Sequence, residues 1–101
     1  MENMVIDEVK ALLSTSAHPV ARVLHKNDHF KVLILGFNKG MILKDHKAHL
    51  PTKLTVLEGS VIYNEEGRRR PLLQYAEFDI PVNVMHSVEA SEDSLCLLTQ
   101  G

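Results

Sequence analysis

After Pro19 the chain reads as short apolar bursts separated by turn-forming residues, and only its first thirteen positions follow another rhythm. In that opening stretch Met4, Ile6, Val9, Leu12 and Leu13 recur roughly every three or four residues, with Glu2, Asp7, Glu8 and Lys10 between them. This spacing predicts one short amphipathic helix, its acids near the N-terminus where the helix dipole favours negative charge. "STSAHP" ends it, because the residue before a proline is turned away from helical angles. The segments that follow are "PVARVLHK", "FKVLILGF", "MILKDHKA", "KLTVLEG", "SVIYNEEG", "RPLLQYA", "FDIPVNV", "HSVEAS" and "SLCLLTQ". Many short strands at regular spacing predict an all-β sandwich or barrel, with no helix-length segment to build a parallel βαβ unit.

Two local features refine this pattern. "YNEEGRRRP" is a hairpin with Glu66-Gly67 at its tip, and Arg68, Arg69 and Arg70 just past the tip read as a solvated face beside Glu65 and Glu66. Pro81 confines "FDIPVNV" to a sheet edge, a bulge or a strand break. "KVLILGF" and "SLCLLTQ" are apolar on both faces, whereas an open antiparallel sheet alternates apolar and polar residues. Their outer faces require a cover, either the N-terminal helix, a partner subunit, or both. A homodimer with isologous contact between sheets is therefore expected.

Length sets one domain: residues 1–16 as helix and linker, and residues 17–101 as the barrel. Composition is ordinary, at 45% apolar and 24% charged residues. A formal charge of −2 gives no pull toward nucleic acid or anionic membrane. Two tyrosines, three phenylalanines and no tryptophan make a poor stacking platform for bases. No run approaches the ~20 apolar residues of a membrane helix. Cys96 is the only cysteine, which excludes an internal disulfide, and its apolar surroundings predict a buried, inert thiol. The acidic start is unlike a signal peptide, so a protein of the reducing cytoplasm is expected.

The chemistry-bearing residues lie between Gly40 and Val88. Gly40 is followed by five residues and His46, then His49, Pro51 and Gly59 in "VLEGSV"; further on, "FDIPVNVMHSVEA" carries Pro81, Asn83 and His86. This spacing resembles the two motifs of the cupin superfamily, with Asn83 where glycine is usual. The resemblance covers about half the chain. It implies a cupin-like double-stranded β-helix, a jelly-roll barrel of the small RmlC-like, conserved-barrel type, all-β with one short N-terminal helix.

The departures from that pattern fall on the metal ligands. Its second histidine corresponds to Ala48 and its glutamate to Thr52, so only His46 and His86 are in register. On a strand, residues two apart share a face at about 7 Å, whereas His46 and His49 are three apart and point to opposite faces unless a bulge or bend intervenes. Thr52 is a weak ligand without charge, and Lys44, Lys47 and Lys53 add positive charge nearby. The best remaining metal set is His46, His49 and His86 with waters, resembling three-histidine zinc sites, for Zn, Fe, Mn or Ni. His18, His25 and His29 read as surface residues, and Met41, Leu54, Val56 and Met85 as core or cavity lining.

Three functions follow. The leading one is a cupin-like module that binds a small molecule in the barrel cavity, or serves structurally, with a degenerate metal site and no assignable catalytic residue. The alternative is a small metal-dependent enzyme, an oxygenase or isomerase, using the three histidines. Metal-free isomerase chemistry ranks third; it needs an acid beside an inward histidine, and only Asp45 and Asp79 lie near.

Overall fold

Each of the nine apolar segments forms a strand. The computed structural model describes residues 1–101, with α1 at Val5–Leu13, β1 at Val20–Lys26, β2 at Lys31–Phe37 and β3 at Ile42–His46. Next come β4 at Thr52–Glu58, β5 at Val61–Glu65, β6 at Arg68–Leu72, β7 at Glu77–Ile80, β8 at His86–Ala90 and β9 at Ser94–Gln100. One sheet has the order β1-β2-β9-β4-β7 and the other β3-β8-β5-β6, every pairing being antiparallel. Consecutive strands thus change sheets at every step except β1 to β2 and β5 to β6.

Alternation along each strand decides what fills the space between the sheets. Leu35, Phe37, Leu54, Val56, Cys96 and Leu98 from the five-stranded sheet meet Val61, Tyr63, Val88 and Ala90 from the other, forming the main core. Cys96 is fully buried there, as its surroundings predict, and burial pushes its thiol pKa up to about 12.

The opposite face of the five-stranded sheet carries a second cluster. Val9 and Leu13 of α1 pack on Val20, Ile34 and Leu95, so the helix supplies a cover for the doubly apolar strands. Burying a side chain such as Val9 or Leu13 contributes about 1.5–3 kcal/mol. The packed stripe is Val5, Val9 and Leu13, at i, i+4 and i+8, whereas Met4, Ile6 and Leu12 are exposed. Of the residues that define the apolar periodicity in the sequence, only Val9 and Leu13 face the sheet. Gly36 permits this close approach: a Cβ there would lie 2.5 Å from Val9 Cγ1 and 2.8 Å from Leu13 Cδ1.

Pro81 follows the last residue of β7, which is an edge strand, so the break falls where the missing N–H costs no ladder bond. Gly59, between β4 and β5, has φ +78, and a Cβ there would collide with the Asp93 carbonyl. Arg68 and Arg69 pair with Glu66 and Glu89, while Arg70 lies over the Phe78 ring at 5.3 Å, in keeping with a solvated charged face.

Candidate functional site

The strand segment through Ala48 ends sooner than its sequence suggests. β3 stops at His46, and residues 47–51 leave the ladder to carry the chain across to β4 in the other sheet. Strand alternation therefore does not govern His49, which lies in the bend that the sequence left open as the way back toward His46. His46, His49 and His86 all line one cavity of about 240 Å³ at the end of the barrel.

A bulge aims the first of them. Leu43 pairs with Val88 and His46 with His86, so β3 advances three residues where β8 advances two. The extra residue shifts the parity by one and turns His46, itself exposed, toward the cavity beside His86; without it Asp45 would oppose His86. Two hydrogen bonds hold the third histidine. The Asn83 N–H donates to the Ala48 carbonyl at 2.8 Å, and His49 Nδ1 meets Asn83 Oδ1 at 3.1 Å. Asn83 has φ +61, a conformation that asparagine tolerates better than most residues, so it serves in glycine's place while adding a side-chain acceptor.

The imidazoles share one hydrogen-bonding arrangement. His46 Nδ1 donates to the Lys44 carbonyl at 2.9 Å, and His86 Nδ1 donates to the Val84 carbonyl at 3.1 Å. A carbonyl only accepts, so Nδ1 carries the proton and Nε2 of the neutral ring keeps a free lone pair. His49 follows suit, with Asn83 Oδ1 as acceptor.

The rings of His46 and His86 lie 4.2 Å apart between centroids. Tyr63 stacks under His86 at 5.4 Å, and Phe78 packs on Tyr63 at 4.5 Å. The Tyr63 hydroxyl donates to Glu65 at 2.9 Å; burial first, and Glu65 second, hold its pKa well above the ordinary tyrosine range. His86 is 2% exposed, and burial lowers its pKa, assisted by His46 and opposed by the Val84 carbonyl, Glu65 and Asp45. It is therefore a neutral imidazole at neutral pH.

The remaining lining divides by polarity. Leu35, Leu43, Leu54, Ile80, Val88 and Leu98 form the apolar floor, and Thr52, Gln100, Lys31 and Lys47 stand among the polar groups. Thr52 is buried and donates from Oγ1 to the Leu50 carbonyl at 2.9 Å. Of the apolar residues singled out in the sequence, Leu54 lines the cavity and Val56 lies in the core. Met85 instead borders a separate acidic hollow with Asp45, Glu65 and Glu66. Asp79 lies 3.9 Å from Lys53, so neither nearby aspartate supplies an acid to the cavity. His18, His25 and His29 are exposed and apart from it.

Lys31 and Gln100 are lining residues that motif spacing does not single out. Their signal is strand parity: Lys31 shares its face with Leu33, Leu35 and Phe37, and Gln100 with Leu98 and Cys96. Register places Lys31, Gln100, Thr52 and Ile80 side by side across the five-stranded sheet.

The donor set suits a divalent ion only in part. Three histidines line one cavity, but no group of three His, Cys, Asp or Glu side chains gathers closely enough to hold a metal ion. No carboxylate lines the space, and two lysines do, so no anionic ligand is at hand to offset the charge of a dication.

No protein-family model and no curated protein sequence matches the chain. Solved structures do. A cupin 2 conserved barrel domain protein from Leptotrichia buccalis is 28% identical with a TM-score of 0.77, over 85% of this chain and 42% of that one. An RmlC-like cupin protein from Desulfovibrio desulfuricans is 26% identical with a TM-score of 0.75, over 81% of this chain and 80% of that one. An RmlC-like cupin from Shewanella frigidimarina has a TM-score of 0.76 at 20% identity, covering 85% of this chain and 78% of that one, and speaks to the fold alone. With two facing antiparallel sheets in this strand order and these neighbours, the chain has the fold of a small cupin jelly-roll domain.

Proposed function

We propose that this cupin domain binds a small molecule in the cavity at the barrel end, gripped by the Nε2 atoms of His46 and His86. The observation that carries this reading is the paired imidazoles, each with Nδ1 committed to a backbone carbonyl, facing a cavity of about 240 Å³. Preorganised polar groups over an apolar floor are the usual build of a ligand site, and the volume lies below the ~300–1,000 Å³ of drug-sized pockets. The ligand is accordingly small. A fragment library titrated into isotope-labelled protein tests this: binders must shift the amides around His46, Thr52, His86 and Gln100, and His46→Ala must weaken them. A library that leaves those amides unmoved defeats the reading.

A second reading, a metal-dependent enzyme using His46, His49 and His86, is favoured by the three histidines that line one cavity with their Nδ1 atoms engaged elsewhere. Metal analysis of protein purified without a histidine tag tests it. Stoichiometric Zn, Fe, Mn or Ni lost in both His46→Ala and His86→Ala supports it, and protein that refuses added ion refutes it. A cytoplasmic setting and a homodimer complete the proposal. The first rests on the lone buried thiol of Cys96, and the second on Val23, Leu24 and Phe30, which lie exposed in and beside the edge strand β1.

A further inference from the structure

We infer that the cavity selects a small organic anion, a carboxylate with a compact apolar body; this deepens the small-molecule reading and rests on it. Sign comes first. The lining holds Lys31, Lys47 and three histidines, and neither an aspartate nor a glutamate. The chain as a whole is slightly acidic, with 13 carboxylate residues against 11 lysines and arginines, so a cavity whose charged lining residues are both lysines departs from the overall balance.

The lysines are also uncommitted. The ion pairs of the molecule use Lys10, Lys53, Arg68 and Arg69, and none uses Lys31 or Lys47. Lys47 stands exposed in the segment after β3. Lys31 is more telling. It is half-buried and occupies an inward position of β2, in line with Leu33, Leu35 and Phe37, where a lysine sacrifices hydration without gaining a partner. An anion entering the cavity supplies that partner.

The local carboxylates are kept on other surfaces. Asp45 is displaced from the position opposite His86 by the bulge in β3 and borders the acidic hollow with Glu65 and Glu66. Glu65 accepts from Tyr63, and Asp79 faces Lys53. Beneath the cationic rim, Leu35, Leu54, Ile80, Val88 and Leu98 offer only apolar contact. A carboxylate head against Lys31 and Lys47, with its hydrocarbon body on this floor, satisfies both the charged and the apolar parts of the lining. Thr52 and Gln100 add neutral hydrogen-bonding groups between head and floor.

The experiment compares acids with their uncharged isosteres. Butyrate, hexanoate and benzoate, and the matching amides, are titrated into the labelled full chain, with affinities read from the cavity amides at low salt. At least one acid is expected to bind about tenfold tighter than its amide, with the preference shrinking as salt rises. The K31Q/K47Q double variant should reduce that preference to about twofold. Both lysines lie outside the core, so the variant keeps its fold, which its amide spectrum verifies.

Amides that bind as well as acids, or an acid preference that survives the double variant, overturn the inference. If amides occupy the cavity and acids do not, the anion inference falls and the small-molecule reading stands. If neither series shifts the cavity amides, both fall.

Discussion

Asn83 and His86 show how single residues set the site. With φ +61, Asn83 occupies the left-handed region, and its side chain accepts from His49. Asn83→Val should cost about 1–2 kcal/mol or more in urea unfolding, since a β-branched residue is strained there. Asn83→Gly should cost far less stability but release His49, seen as a changed imidazole resonance. His86 gives a pH prediction. Its folded pKa lies below the ordinary value of 6.5, chiefly through burial, so below that pH the unfolded chain accepts a proton that the folded one resists. This contribution is complete above pH 6.5 and is lost as the pH falls. The groups that bear on His86 are His46 on β3, Asp45 in the bulge, and Glu65 and Tyr63 on β5. The thermal midpoint should drop between pH 7.5 and pH 5.5, and the drop should shrink in His86→Asn. An equal drop in both proteins refutes the assignment. Cys96, fully buried with its pKa raised to about 12, should resist thiol reagents at pH 8 until denaturant is added.

At the scale of elements, the helix and the bulge carry the consequences. α1 seats against the sheet through Val9 and Leu13 over Gly36, with Lys10 joined to Glu58 at 3.2 Å. Gly36→Ala forces its Cβ against two side chains and should cost about 1–3 kcal/mol, measured by the urea midpoint. The Lys10–Glu58 pair is exposed, and breaking it should cost under about 1 kcal/mol. The apolar periodicity of residues 1–13 was enough to predict a helix. It did not select the seated face, because Met4, Ile6 and Leu12 are equally apolar and only the shape of the sheet above Gly36 distinguishes them from Val5. Similarly, alternation located β3 but not its bulge: "ILKDH" carries no glycine or proline to mark the place where three residues oppose two.

For the whole molecule, two sheets enclose a core and leave one end open between β3, β8 and the segment 47–51. The seated helix accounts for much of the apolar outer face that called for a cover. The proposed homodimer must therefore use the remaining exposed residues around β1, and light scattering at micromolar concentration should give twice the chain mass. Val23→Lys with Leu24→Lys should return it to a monomer, whereas a monomeric wild type removes that part of the proposal. Apolar spacing and turn residues alone determined the number of strands, the helix, the hairpin at Glu66-Gly67 and the strand break at Pro81, because these depend on contacts close in the chain. Motif spacing brought His46, His49 and His86 into view. Only the tertiary structure decided that His49 shares their cavity and that Lys31 and Gln100 stand beside them with no carboxylate. Those outcomes depend on register between distant strands and on where the chain leaves one sheet for the other, and a local pattern of residues carries neither.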